Sequence, residues 1–504
     1  TGSMEVEQIN VPAYIAGYPV TKIEGVNHVE VFPETDDMEP SITFPDTLRT
    51  VGSDVFYVCD LTTLDLGSGV TTLYTDFASV HLGVVNLTLP ESLTNYVIVS
   101  QNFGISIDNL TLPASMTAEQ FIALARFLYA YDSITVAGGE HMKVQDNLLM
   151  TTDGTTVLRC IGSGDFVIPD TATTIESYAV AGSFHELTIP DSVTTIRSNT
   201  FYSLEYVFIH CSATSAAETY AKSKGINTTN HFTYTLADGA CTISAYKGPL
   251  KAITLPPRIS GCPVTDIGNT FQGSAITSIN MRDTSITELA ACAFQSCTSL
   301  TSVTLPLRTL TIIGESAFRG CTALTSFSIN NHLTDLGDYA LADCSSLSSI
   351  GYTRMGGDST PYQLQRLGSY AFLNCVSLTR FSMLDSITGL GMGVFSGSGL
   401  QTVTLSPNLK SIPAYTFYYT DLTKIVIPDS VTSIGNYAFD YTGLTKIWIP
   451  GSVTTITTYA FNNLPSDSVT FWLQSTVSST IFNKIAALSC AYSVGRSSSL
   501  PSGF

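Results

Sequence analysis

The chain has 504 residues, more than one compact core accommodates, so two or more folded units are expected. Hydrophobic residues make up 44% of it and charged residues only 12%, about half the usual share, which points to a β-rich, hydroxyl-covered protein rather than a helical enzyme. A net charge of -19 repels phosphate backbones and anionic lipid surfaces, and no run of about 18 apolar residues supplies a transmembrane helix, so neither nucleic acid nor membrane insertion is expected.

Thr1, Gly2 and Ser3 ahead of Met4 read as a cloning scar, so the natural chain is expected to start upstream. The first recognisable unit is Ile9-Asn-Val-Pro-Ala-Tyr-Ile-Ala-Gly-Tyr-Pro-Val-Thr-Lys-Ile23. Strand-like segments then end at Pro45, Pro90 and Pro113. Glu34, Asp36, Asp37 and Glu39 form an acidic cluster without the ligand spacing or glycine of a calcium loop, and a solvated loop accounts for it. Residues 117–131 predict an amphipathic helix with Thr117 as N-cap. Lys143 to Val157 predicts a hairpin turning at Asp153 and Gly154.

A repeat then becomes regular. Ile168-Pro-Asp-Thr-Ala-Thr-Thr-Ile175 returns 21 residues later as Ile189-Pro-Asp-Ser-Val-Thr-Thr-Ile196. Residues 215–225 predict a short helix closed by Gly225. Residues 232–246 predict a hairpin around Asp238 and Gly239, followed by Ile253-Thr-Leu-Pro-Pro-Arg-Ile-Ser-Gly-Cys-Pro-Val-Thr-Asp-Ile267, which parallels the opening unit at Ile9. The expected division is therefore 1–231 and 232–504, each with a start and a helical end. The hairpin would cover the exposed edge of the second array.

From there the unit is plain: Leu300-Thr-Ser-Val-Thr-Leu-Pro306, Leu422-Thr-Lys-Ile-Val-Ile-Pro428, Leu444-Thr-Lys-Ile-Trp-Ile-Pro450. A large apolar residue recurs at Phe271, Phe294, Phe318, Leu341, Phe372, Phe395, Phe417, Phe439 and Phe461, at intervals of 22–24 residues except one of 31 that holds an inserted loop near Met355. In Leu-x-x-Ile-x-Ile the residues at i, i+3 and i+5 point inward and those at i+2 and i+4 outward. One unit cannot bury its apolar face alone, whereas stacked units share a column. At about 4.8 Å per strand, nine rungs span about 43 Å.

The whole unit, Leu-Thr-x-Ile-x-Ile-Pro-x-Ser-Val-Thr-x-Ile-x-x-x-Ala-Phe, resembles the BspA-like, type 5 leucine-rich repeat of bacterial surface proteins. The resemblance covers 160–210 and 262–464 well and 1–115 moderately, and it departs at 116–160. It implies a β-rich leucine-rich-repeat solenoid with short capping helices. It also implies an extracellular or cell-surface location and a role in adhesion to a host or neighbouring-cell protein or glycan. A structural spacer in a larger surface protein is the alternative.

No catalytic constellation accompanies the repeat, and no cofactor or metal is expected. Cys297, Cys321, Cys344 and Cys375 each follow the large apolar residue by three. Metal ligands need short paired spacings, and in-register rungs hold equivalent Cβ atoms near 4.8 Å, wider than the roughly 3.8 Å of a disulfide; a buried thiol ladder is expected. His210 and Cys211 are adjacent and so face opposite sides of a strand. Asn86, Asn109 and Asn227 head glycosylation sequons that matter only in a eukaryotic secretory host.

The outward i+4 position runs Asn280, Thr304, Ser328, Gly351, Ser382, Thr404, Val426, Trp448, Trp472, with Thr402, Lys424, Lys446 and Thr470 at i+2. Trp448, Trp472, Lys424 and Lys446 are the candidate ligand-binding residues, as an aromatic platform. The competing reading is a pad covered by the terminal helix at 478–488. The first array favours it, since its i+4 residues Val167, Thr188 and Phe208 also turn aromatic before a helix.

Overall fold

The computed structural model describes residues 8–25, 40–53, 55–74, 78–97, 105–127, 132–180, 186–201, 207–354, 356, 358–465, 468–488 and 490–501. The chain forms two compact units, Thr1–Thr229 and Asn230–Phe504. The acidic cluster at 34–39 and the first seven residues lie outside the described residues.

Each unit is a solenoid of parallel strands. In unit 2 a rung starts with a short strand such as Lys424–Val426, which pairs in parallel with Lys446–Ile449, itself paired in parallel with Val469–Gln474. Leu422, Ile425 and Ile427 are buried and Lys424 is exposed, as the spacing predicts. Pro428 ends the strand because it has no amide to donate. The chain turns, with Val431 N–H donating to Pro428 O at 3.1 Å, into the two-residue strand Ser433–Ile434, which stacks on Ser411–Ile412 and Thr455–Ile456. The third side has its own ladder: Phe417 N–H donates to Ala438 O and Phe439 N–H to Ala460 O.

Inside that third side the phenylalanines stack. Phe372, Phe395, Phe417, Phe439 and Phe461 have centroids 5.3–5.7 Å apart and nearly parallel planes. Phe271, Phe294 and Phe318 form a like column, and Leu341 separates the two. Three residues on lies a narrow slot. Cys297, Cys321, Cys344 and Cys375 fill it as buried free thiols. Each thiol donates to the carbonyl of the large apolar residue one rung earlier, at 2.8–3.2 Å. Burial pushes the Cys375 thiol up to about 12 and raises Cys321 and Cys344 also. Neighbouring rungs approach closely: a Cβ at Gly391 would lie 2.2 Å from the Ser369 nitrogen.

The hairpin Phe232–Ala237 and Ala240–Tyr246 turns through Asp238 and Gly239, both left-handed, and joins unit 2 by pairing in parallel with Cys262–Asp266. The inserted loop after Thr353 is pinned by Asp358, whose carboxylate accepts from Asn331 Nδ2 at 2.7 Å and from the Thr360 N–H.

Unit 1 is less regular. Its strands lengthen to Phe56–Asp65 and Ala78–Thr88, paired in parallel. Helix α1 (Ala118–Ala125) starts at Thr117 with a reciprocal Thr117–Gln120 capping box; residues 128–131 of the predicted helix lie outside the described residues. The predicted hairpin at 143–157 is a three-stranded meander. Met142–Gln145 pairs with Leu148–Thr151 through a left-handed Asp146–Asn147 turn, and Leu148–Thr151 pairs with Thr156–Cys160 around Gly154. Helix α2 (Ala216–Lys224) is capped by Ser215 and closed by left-handed Gly225.

Candidate interaction surfaces

The strand face carries the residues singled out from the spacing. Lys424, Lys446, Thr470 and Ser493 share one row, and Val426, Trp448, Trp472 and Gly495 the next. Val426 is 41% exposed, but Trp448 is only 5% exposed. The outward expectation therefore fails at Trp448. Trp472 lies opposite it and is itself half-buried. The six-membered ring of Trp472 rests against Gly495, where an added Cβ would meet Cζ3 at 3.1 Å. Gly495 belongs to the strand Ala491–Ser497, which follows helix α3 (Ser479–Ala486) and extends the same sheet. The residue packed on the tryptophan column thus comes from a strand. Helix α3 instead reaches the second side of the rung, where Lys484 Nζ donates to Ile456 O.

The parallel drawn from unit 1 needs a register correction. Val167 pairs with Thr188 and Thr188 with His210, whereas Phe208 lies opposite Glu186 and is fully buried. The residue at the i+4 row is His210, held by Glu186 Oε2 at 3.1 Å. The Cys211 thiol next to it donates to Glu218 Oε2 at 3.8 Å, and burial pushes it up to about 11.

An extended aromatic surface lies on the turn side of unit 2, which the spacing argument passed over. Two positions flank each phenylalanine of the inner column, two residues before and two after. Nearly all adopt left-handed backbone: Tyr370, Gly393, Tyr415 and Tyr437 before, Asn374, Gly397, Tyr419 and Tyr441 after. This conformation aims the side chains away from the core. Tyr415, Tyr437 and Tyr459 stack at 5.1 and 5.3 Å. Tyr419 and Tyr441 meet at 5.7 Å with planes 44° apart, and Tyr418 abuts both Tyr415 and Tyr441 edge-on. Tyr419, Tyr441 and Tyr459 are 64%, 50% and 48% exposed. Asp440 lies buried beneath them, accepts from Asn463 Nδ2 at 3.0 Å, and has its carboxyl raised by that burial. The signal was present in sequence as Ala-Tyr-Thr-Phe-Tyr-Tyr419, Asn-Tyr-Ala-Phe-Asp-Tyr441 and Thr-Tyr459-Ala-Phe.

Stacked parallel strands, a proline-ended rung and an inner phenylalanine column define a leucine-rich-repeat β-solenoid. The BspA type leucine rich repeat region matches residues 29–123, 158–233, 249–355 and 359–488, and the chain belongs to that family. It is similar to a leucine-rich repeat protein of Bacteroides ovatus (24% identity over 53% of this chain and 66% of that one, TM-score 0.37). It is also similar to one of Eubacterium ventriosum (17%, 81% and 88%, 0.31) and to a leucine rich cell surface protein of Faecalibacterium prausnitzii (21%, 71% and 95%, 0.27). No protein of curated function is significantly similar in sequence. Among the described residues no helix is long and apolar enough to cross a membrane.

Proposed function

We propose that the chain is a binding module displayed at a bacterial cell surface, and that the tyrosine patch of unit 2 contacts a protein partner. The observation that carries this is the cluster of Tyr415, Tyr418, Tyr419, Tyr437, Tyr441 and Tyr459 over three successive rungs. Tyrosine offers large contact area with two rotatable bonds and a hydroxyl that stays satisfied in or out of water, which is why it dominates binding hot spots. In the stack of three rings, Tyr437 has both π-faces covered by Tyr415 and Tyr459, so the column offers ring edges more than open faces. That presentation suits a protein surface better than a sugar ring, which seeks an open aromatic face.

Trp472, Lys424 and Lys446 form a second contact on the strand face, with buried Trp448 in register beside Trp472. Both lysines are exposed and in register.

The test is a screen of immobilised extracellular-matrix proteins and glycans against the wild type, a Tyr419→Ser, Tyr441→Ser, Tyr459→Ser triple variant, and Trp472→Ala. At about 1–2 kcal/mol per lost tyrosine anchor, the triple variant should bind a protein ligand at least about tenfold more weakly with its melting temperature little changed. Unchanged protein binding by the triple variant overturns the proposal. Binding confined to glycans and lost in Trp472→Ala moves recognition to the strand face, and no ligand at all leaves the spacer.

A further inference from the structure

The tyrosines of the unit 2 patch touch one another as well as the solvent. Tyr415 stacks on Tyr437 and Tyr437 on Tyr459, and Tyr418 links that column to Tyr441 by edge contacts. Tyr419 and Tyr441 close the group at 5.7 Å. A phenol that loses an electron anywhere in the group can recover one from a neighbour. The oxidised site therefore moves through the ring contacts until an irreversible step ends it.

Tyr419 and Tyr441 are the pair placed for that step. They hold the same left-handed position on successive rungs, and Tyr419 N–H donates to Asp440 O at 2.9 Å, which fixes the two backbones side by side. Their rings are 64% and 50% exposed, and side chains this exposed reorient within nanoseconds. Planes 44° apart suit a bond between ring edges, since a biaryl is twisted. The pairs Tyr415–Tyr437 and Tyr437–Tyr459, at 22° and 4°, oppose faces instead.

A second feature of the same rungs lets such a radical persist. A thiol readily gives its hydrogen to a phenoxyl radical and quenches it, whereas an aliphatic hydroxyl does not. The slot behind the phenylalanines holds cysteine as far as Cys375, and then Ser398, Thr420 and Thr442. The rungs of Tyr419 and Tyr441 therefore carry hydroxyls. Tyr339 and Tyr370 also stack, at 5.1 Å, but on rungs that carry Cys344 and Cys375.

We propose that Tyr419 and Tyr441 are an oxidative cross-linking site, joined into dityrosine by a haem peroxidase with hydrogen peroxide. Each phenol gives up one electron and its hydroxyl proton. The two phenoxyl radicals couple at ring carbons next to the oxygen-bearing carbon. The hydrogen on each coupled carbon then moves to its oxygen, restoring both hydroxyls. One carbon–carbon bond replaces two carbon–hydrogen bonds, and the two electrons and two protons turn one peroxide into two waters. The bond staples two rungs on the turn side. It needs no binding partner, so it stands apart from the function proposed above.

The test treats the intact chain with a haem peroxidase and hydrogen peroxide, measures dityrosine fluorescence, and maps cross-linked peptides by mass spectrometry. The expected product is a monomer lighter by two hydrogens, with the link between Tyr419 and Tyr441. Tyr441→Phe keeps the ring but forms no phenoxyl radical. Its dityrosine yield should fall at least tenfold with the circular dichroism spectrum unchanged, and Tyr339→Phe should leave the yield as it is. Exposure alone would favour Tyr18 at 77% and Tyr492 at 73%, and would join separate copies. Covalent dimers as the main product, a link mapped elsewhere, or no dityrosine at all overturns the proposal.

Discussion

The two units share a rung but differ in charge. Of the 41 aspartates and glutamates, 27 precede residue 230, against 8 of the 22 lysines and arginines. The whole net charge of -19 therefore belongs to unit 1, and residues 230–504 balance at 14 of each sign. They differ in order as well. Unit 2 has two phenylalanine columns, parted at Leu341, and a slot of thiols and hydroxyls behind them. Among the described residues of unit 1, the turn side is linked by the Val180–Phe201 bridge and by bonds such as Tyr178 N–H to Asn199 O at 2.7 Å, and the Phe201 ring meets Tyr220 of helix α2. A solenoid tolerates local irregularity because each rung answers only to its neighbours. The same locality lets one stretch take a neutral, aromatic surface and another an acidic one without altering the fold.

The comparison breaks most readily at Phe395, fully buried between Phe372 and Phe417 and against Phe381 at 5.0 Å. Phe395→Ala should cost about 3–5 kcal/mol. Exchange protection should fall across residues 372–439 and stay unchanged at 150–200. Equal loss in both segments would mean that the units do not answer separately.

A smaller effect comes from the thiols. Their folded pKa values lie above the unfolded value, so the neutral form is the one the fold favours. Stability is then fully present below about pH 9 and falls as pH rises toward about 12, because the unfolded thiols ionise while the buried ones stay neutral. Alkaline unfolding monitored by circular dichroism should begin above pH 9, and Cys375→Ser, whose hydroxyl does not titrate there, should flatten the slope. Alkylation of Cys321, Cys344 and Cys375 at pH 8 should need denaturant; modification in the native state would contradict the slot.

The least is expected from salt. Screening relieves self-repulsion, so 0.5 M sodium chloride should raise protection in unit 1 by a few tenths of a kcal/mol more than in unit 2. Equal responses would show that the acidic residues of unit 1 are too well spread to repel one another.

The rung was legible because its phenylalanines recur at 22–24 residues and its proline marks the strand end. The helix starts were legible because Thr117, Ser215 and Ser478 are each followed by a side-chain–backbone bond three residues on. The turn at Asp146 and Asn147 escaped because neither residue is glycine, although both tolerate left-handed backbone. Phe208 was misplaced by two residues because its rung lacks the terminal proline that fixes register elsewhere. The burial of Trp448 depends on its neighbours in the stacked sheet, and the glycine that receives Trp472 arrives only after helix α3; no local spacing reports either. The tyrosine columns were hidden for a different reason. Left-handed positions are normally flagged by glycine or asparagine, and here bulky rings occupy them, held by stacking on the next rung.

The slot behind the phenylalanine column holds Cys297, Cys321, Cys344 and Cys375, then Ser398, Thr420 and Thr442. The Thr420 and Thr442 hydroxyls donate at 2.9 Å to the phenylalanine carbonyl of their own rung, where the thiols reach back one rung. A small side chain thus fits the position whichever rung it comes from, although the buried Ser398 hydroxyl meets no partner among the described residues. A rung is therefore an exchangeable part. A whole 22-residue unit can be duplicated, lost or traded between copies of such a gene without a mismatch at the joint, and the surface it displays travels with it.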